Sequence, residues 1–129
     1  MSGQRDAATD QQLPAKNRLP IIQEIVMAEE YLRVGDVVGG TPPVVTAMRE
    51  SLALGIRKYG TGLQPFNGRD VVQDLAEELR DALVYARQRR WELQNGRREG
   101  DRTALKVMRL REAEELLRRL LIMARDGSL

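Results

Sequence analysis

The stretch that decides the fold is Asp70 to Asn95, DVVQDLAEELRDALVYARQRRWELQN. Its apolar residues recur every three or four positions, which is the spacing of one face of an α-helix. Asp70 lies three residues before Gln73, the spacing of a capping box, and Asn95-Gly96 is a typical helix stop. The sequence therefore predicts a helix from Asp70 to about Gln94, with an apolar stripe formed by Val72, Leu75, Ala76, Leu79, Leu83 and Ala86.

Similar patterns predict three further helices. The first covers about residues 20–33, with Pro20 in its first turn, and the second runs from the N-cap Thr41 and Pro42 to about Arg57. Asp101 can cap the last helix, whose apolar positions are Leu105, Met108, Leu116, Leu117, Leu120 and Met123. Neither a strand pattern nor an internal repeat occurs, so we expect an all-α four-helix bundle in a single domain, residues 19–129. The polar segment 1–18 is expected to be a disordered tail.

Composition narrows the possible chemistry. The 129 residues include no Cys and no His, which excludes disulfides, thiol catalysis, His-based metal sites and Ser-His triads. Apolar segments fall short of the roughly 20 residues of a membrane span, and we expect a cytoplasmic protein without membrane contact. The net charge of +2 does not indicate nucleic-acid binding. The basic cluster from Arg87 to Arg102, which includes Trp91, is interpreted as a solvated or intersubunit helix end, with nucleic-acid contact as the alternative.

An acidic face follows the predicted third helix. At about 100° per residue, Asp74, Glu78, Asp81 and Tyr85 fall within one narrow sector. Carboxylates at these spacings repel one another on an isolated helix, so we expect a compensating cation. Either Mg²⁺, which prefers carboxylate oxygens, or Arg side chains of a neighbouring helix would meet this need. Glu50 of the second helix either completes this carboxylate cluster across a seam between antiparallel neighbours or pairs with Arg residues at the surface.

The segment that connects these two helices combines residue types that suit a phosphate-bearing ligand. It is predicted to be a long irregular loop from Lys58 to Arg69, rich in glycine, which permits close backbone approach to a ligand. Lys58 and Arg69 can hold phosphates, and Tyr59 or Phe66 can stack on a base. Alternatively, the loop is a plug in which Leu63 and Phe66 cap the end of the bundle.

The run KYGTGLQPFNGRD (58–70), followed by DLAEELRDALVYARQ (74–88), resembles phage and actinobacterial MazG-like proteins. These belong to the all-α nucleoside triphosphate pyrophosphohydrolases, and the resemblance covers about residues 45–95. It implies a helical bundle that forms dimers or tetramers. It also implies Mg²⁺-dependent cleavage of a nucleoside triphosphate to the monophosphate and pyrophosphate.

In that family, a Glu-Glu-x-x-Glu motif and a Glu-x-x-Asp motif hold the metal. Glu78 and Asp81 match the second motif, and Glu50 matches the last acid of the first, whose other acids fall on Thr46 and Ala47. The resemblance thus implies an incomplete metal motif. It assigns catalysis to Glu50, Glu78 and Asp81. It assigns the binding of Mg²⁺ to the same three residues and Asp74. The nucleotide would contact Lys58, Tyr59, Phe66, Asn67 and Arg69.

Three functions therefore stay open. The first is a Mg²⁺-dependent nucleoside triphosphate pyrophosphohydrolase, in which the metal bridges phosphate oxygens and orients a water. The second is a protein that binds a nucleotide without turnover and so senses or sequesters it. The third is a helical oligomeric interaction module whose acidic face meets Arg residues of a partner subunit. A homo-oligomer is expected because Val71, Val84, Leu110 and Leu121 lie outside the main apolar stripes.

Overall fold

The computed structural model describes residues 19–35, 39–96, 100 and 102–129. These residues form four α-helices and no strand: α1 is Ile22–Val34, α2 is Pro43–Tyr59, α3 is Val71–Asn95 and α4 is Thr103–Asp126. The all-α class expected from the sequence is confirmed. The predicted disordered tail 1–18 and the predicted cap Asp101 lie outside the described residues. In the described part of the chain, no helix has both the length and the apolar character needed to cross a membrane.

The chain divides into two compact units, Met1–Arg69 and Asp70–Leu129. In the first unit, α1 packs against α2, and the segment 60–69 follows α2. Val45 of α2 is fully buried, and two polar side chains, Gln23 and Gln64, are buried as well. A buried amide is stable only when its polar atoms have hydrogen-bond partners, so these two glutamines mark places where the unit is held by specific bonds.

Three predicted helix ends in the first unit are wrong by a few residues. Pro20 precedes α1, which begins at Ile22 after the N-cap Ile21. Thr41 does not cap α2, because the helix begins at Pro43 with Pro42 as the N-cap residue. Two consecutive prolines make either position suitable for the first turn, and the second proline takes it. At its other end, α2 continues through Tyr59 and stops at Gly60, whose φ of 77° is left-handed.

The second unit is a pair of long helices, α3 and α4. Asp70 accepts a hydrogen bond from the backbone N–H of Gln73 at 3.1 Å, which confirms the predicted N-cap. The predicted stop is also confirmed, because the Gly96 N–H donates to the Glu92 carbonyl at 2.8 Å. The core between the helices consists of Ala76, Leu79 and Ala124, with Val72, Leu117, Leu120 and Leu121 packed against it.

The exposed side of α4 differs from the prediction. Met108 and Leu116 were expected in the apolar stripe, but both are about half exposed. Leu121, expected outside the stripe, packs against the core. The prediction failed because 100° per residue gives the angles between side chains but not the direction of the neighbouring helix. Val71 and Val84 of α3 are exposed, as the oligomer hypothesis requires, together with the single tryptophan, Trp91.

Candidate functional site

The segment after α2 is attached to the start of α1 by its backbone. The Ile22 N–H donates to the Leu63 carbonyl at 2.7 Å, and the Leu63 N–H donates to Gln23 Oε1 at 2.9 Å. Ile21, the N-cap residue of α1, makes no side-chain cap. The Leu63 carbonyl therefore satisfies an N–H group that has no partner within the first helical turn.

Close packing reinforces this attachment. A Cβ at Gly62 would lie 2.5 Å from Ile21 Cγ2, 2.5 Å from Leu52 Cδ1 and 3.0 Å from Gln23 Oε1. Any side chain at position 62 would force these neighbouring side chains to shift, so glycine allows the segment to lie close to both helices. Gln64 is buried directly after Leu63. The segment is docked along residues 62–64. The plug hypothesis is not supported at Leu63, whose side chain is 40% exposed.

Lys58 and Tyr59 lie on the last turn of α2, not in a loop as predicted. The Lys58 ammonium lies 5.4 Å from the centroid of the Tyr59 ring, a cation–π contact. Lys58 is exposed and Tyr59 is half-buried. The ammonium is therefore held near the end of the helix while its charge stays accessible to a ligand in solvent.

Phe66 does not cap the end of a bundle, because its side chain is 81% exposed. Its φ of 55° is left-handed, which is uncommon for a residue with a bulky side chain. Next to it, Asn67 Oδ1 accepts a hydrogen bond from the Arg69 N–H at 3.1 Å and closes a short turn. Both Asn67 and Arg69 are half-buried. The structure thus pairs Lys58 with Tyr59 and Asn67 with Arg69, and it turns Phe66 outward.

The acidic face of α3 is accessible. Glu78 and Tyr85 are exposed, and Asp74 is half-buried. Asp81 pairs with Arg80 at 3.1 Å, and both side chains are about half exposed. The compensating cation at Asp81 therefore comes from the adjacent residue of the same helix, a source that the sequence analysis did not consider. Such an exposed pair contributes little to stability.

Glu50 is exposed on α2 and belongs to the first unit, whereas Asp74, Glu78 and Asp81 belong to the second. Its participation in a carboxylate cluster stays a prediction. Over residues 19–35, 39–96, 100 and 102–129, no group of three or more acidic side chains is arranged so that it could hold a metal ion. The described part of the chain does not assemble the Mg²⁺ ligand set that the resemblance implies.

The sequence analysis missed an ion pair that joins α3 to α4. Arg90 donates to both carboxylate oxygens of Glu114, at 2.7 and 3.1 Å, and also to Gln94 Oε1 at 3.3 Å. Both side chains of the pair are less than one-fifth exposed. The hydrogen bond to Glu114 raises the pKa of Arg90 above its usual value. The two residues are 24 positions apart in the chain, so only the fold shows that they are partners.

An open cleft of about 250 Å³ lies where the start of α3 meets the end of α4. Its polar lining residues are Asp70, Gln73 and Arg125. Asp70 caps α3, and the side-chain amide of Gln73 donates to Glu77 at 3.1 Å. Two of the three polar groups are therefore already used within α3.

Comparison of the chain with protein-family models, with characterised proteins and with solved structures gives no match. Any functional conclusion therefore depends on the residues themselves.

Proposed function

We propose that this protein binds a nucleoside triphosphate through the segment 58–69, which we call the ligand segment. In this proposal Lys58 and Arg69 neutralise the phosphates, Phe66 or Tyr59 stacks on the base, and Asn67 contacts the nucleotide. The resemblance to MazG-like pyrophosphohydrolases motivates this choice of ligand. The observation that carries the proposal is the outward position of Phe66, two residues after the docked residues 62–64.

An aromatic ring in this position has an unfavourable free energy in two respects. Its apolar surface is hydrated, and a left-handed conformation of a residue with a Cβ costs on the order of 1–2 kcal/mol. Backbone strain of this kind is common at ligand-binding sites, where the surrounding structure enforces it. A ring that stacks on a base recovers about 1–3 kcal/mol, which is enough to offset these terms.

Phe66→Ala tests the proposal directly. We expect the variant to bind nucleoside triphosphates about tenfold or more weakly, because the stacking surface is removed. Calorimetric titration with each of the four ribonucleotides and deoxyribonucleotides, with and without Mg²⁺, measures the affinity. Leu32→Ala is the matched control, since Leu32 is equally exposed in the same unit but lies on α1. Parental affinity in Phe66→Ala would contradict the stacking role.

Catalysis is the second part of the proposal. We propose that the carboxylates of Asp74, Glu78 and Asp81 support Mg²⁺-dependent release of pyrophosphate, and their accessibility on α3 favours this. The described residues do not bring three of them into a metal-binding group, so no step of the reaction is derived through the ion. If a nucleotide binds and no pyrophosphate forms, the protein is of the sensing or sequestering kind.

We further propose that the protein acts in the cytoplasm as a homo-oligomer, either a dimer or a tetramer. Val71 and Val84 support this, because both side chains of α3 are more than half exposed. Burial of such residues between subunits removes apolar surface from water. Sedimentation velocity at micromolar concentration should show a species heavier than the 14.6 kDa chain. A monomer at that concentration would exclude this part of the proposal.

A further inference from the structure

The side chain of Gln23 connects three elements of the first unit. It lies in the first turn of α1 and is 9% exposed. Its Oε1 accepts the Leu63 N–H at 2.9 Å, and its Nε2 donates to Ser51 Oγ of α2 at 3.3 Å. The carboxamide oxygen therefore bonds to the ligand segment, and the carboxamide nitrogen bonds to the neighbouring helix α2.

The position of the acceptor determines the position of Leu63. The Ile22 N–H holds the Leu63 carbonyl at 2.7 Å, so both backbone groups of this residue are bonded to consecutive residues of α1. Gly62 fits against Ile21, Leu52 and Gln23 only because it has no side chain. Two hydrogen bonds and one close contact thus fix residues 62 and 63, a few residues before Phe66.

From this geometry we propose that Gln23 is the positioning residue of the ligand segment. It contacts no nucleotide itself. By fixing Leu63 it sets the backbone from which Phe66, Asn67 and Arg69 are presented, and so controls affinity indirectly. This inference depends on the proposed function for its ligand, but the conformational role of Gln23 is measurable without any nucleotide.

Gln23→Met removes the acceptor while keeping a side chain of similar length. We expect amide hydrogen exchange at Leu63 and at residues 66–69 to become about tenfold faster, because the Leu63 N–H loses its partner. Affinity for the nucleotide that the parent binds best should fall by a similar factor. Gln23→Glu retains an acceptor for the Leu63 N–H, and we expect it to restore protection and affinity towards parental values.

Ser51→Ala is the matched control, because it removes the partner of the Gln23 donor and leaves the bond to Leu63 in place. It should keep parental exchange at Leu63 and parental affinity.

If Gln23→Met shows parental exchange in the ligand segment, the positioning role is wrong, whether or not a nucleotide binds. Faster exchange without loss of affinity likewise overturns the link to binding. If the parent binds no nucleotide, the proposed function fails, and exchange alone decides the role of Gln23. Should Gln23→Met not fold, Gln23→Ser provides the same comparison with a smaller side chain.

Discussion

The ligand segment and the acidic face of α3 are organised in different ways. Residues 62–64 are fixed by contacts with α1 and α2, including a hydrogen bond between residues 40 positions apart in the chain. The acidic face arises from one helix, in which Asp74, Glu78 and Asp81 share a side because of helical periodicity. A site on a helix face follows from local sequence, whereas the presentation of a loop depends on distant residues.

The largest effect is expected for a substitution in the acidic face of α3. Asp81→Asn should abolish any Mg²⁺-dependent pyrophosphate release, since the neutral amide is a much weaker metal ligand. The fold should be unaffected, because the pair with Arg80 is exposed and contributes little to stability. Pyrophosphate release and thermal melting measure the two outcomes. Glu77→Gln is the control, one residue before Glu78 and outside the acidic face, and undiminished activity of Asp81→Asn would remove this face from the mechanism.

The cations of the ligand segment should give the next largest effect. We expect Lys58→Ala and Arg69→Ala each to weaken nucleotide binding roughly 10- to 100-fold, the equivalent of about 1.5–3 kcal/mol for one charge-assisted contact to phosphate. Melting of the nucleotide-free protein should be unchanged for Lys58→Ala, since this side chain is exposed, and slightly lower for the half-buried Arg69.

Arg33→Ala provides the comparison for both cation variants, because it removes one exposed cation from α1 of the same unit. Titration at two salt concentrations separates direct contact from general attraction by charge, since general attraction is screened. If Lys58→Ala and Arg69→Ala both bind like the parent, the ligand segment is structural, and the interaction-module hypothesis becomes the leading one.

The smallest effect is expected for the loss of the N-cap of α3. Asp70→Ala removes the acceptor for the Gln73 N–H and should lower the free energy of unfolding by about 1 kcal/mol. Nucleotide affinity should change little if the ligand segment is held from α1. Chemical denaturation measures the stability change. Glu115→Ala is the control, because it removes an exposed carboxylate in the middle of α4. A large loss of affinity in Asp70→Ala would show that the start of α3 takes part in binding.

The sequence predicted the structure best where the residues that determine it lie close together in the chain. The bounds of α3 follow from Asp70, Asn95 and Gly96 and from the apolar period between them. Its acidic face follows from the same period. The start of α2 was displaced by one residue because Pro42 and Pro43 are equivalent by local rules.

The rest depends on contacts that a linear sequence does not contain. Gln23 carried no signal of its own, because a polar residue on a helix is usually solvated and its acceptor role requires Leu63. For Phe66 the sequence left two alternatives open, stacking on a base or capping the end of the bundle, and only the structure shows that the ring is exposed. The pair of Glu114 with Arg90 joins two helices, and local spacing in the sequence does not indicate it.

The single tryptophan makes it possible to follow the unfolding of the second unit separately. Trp91 lies on α3, so tryptophan fluorescence during chemical denaturation reports the second unit, while circular dichroism reports the helices of both. Coincident transitions would mean that the chain unfolds as one cooperative system, and separate transitions that each helix pair has its own stability. If the two transitions are separate, a nucleotide bound to the ligand segment would raise the denaturant midpoint of the first unit, measured by circular dichroism. The midpoint measured by tryptophan fluorescence would stay unchanged.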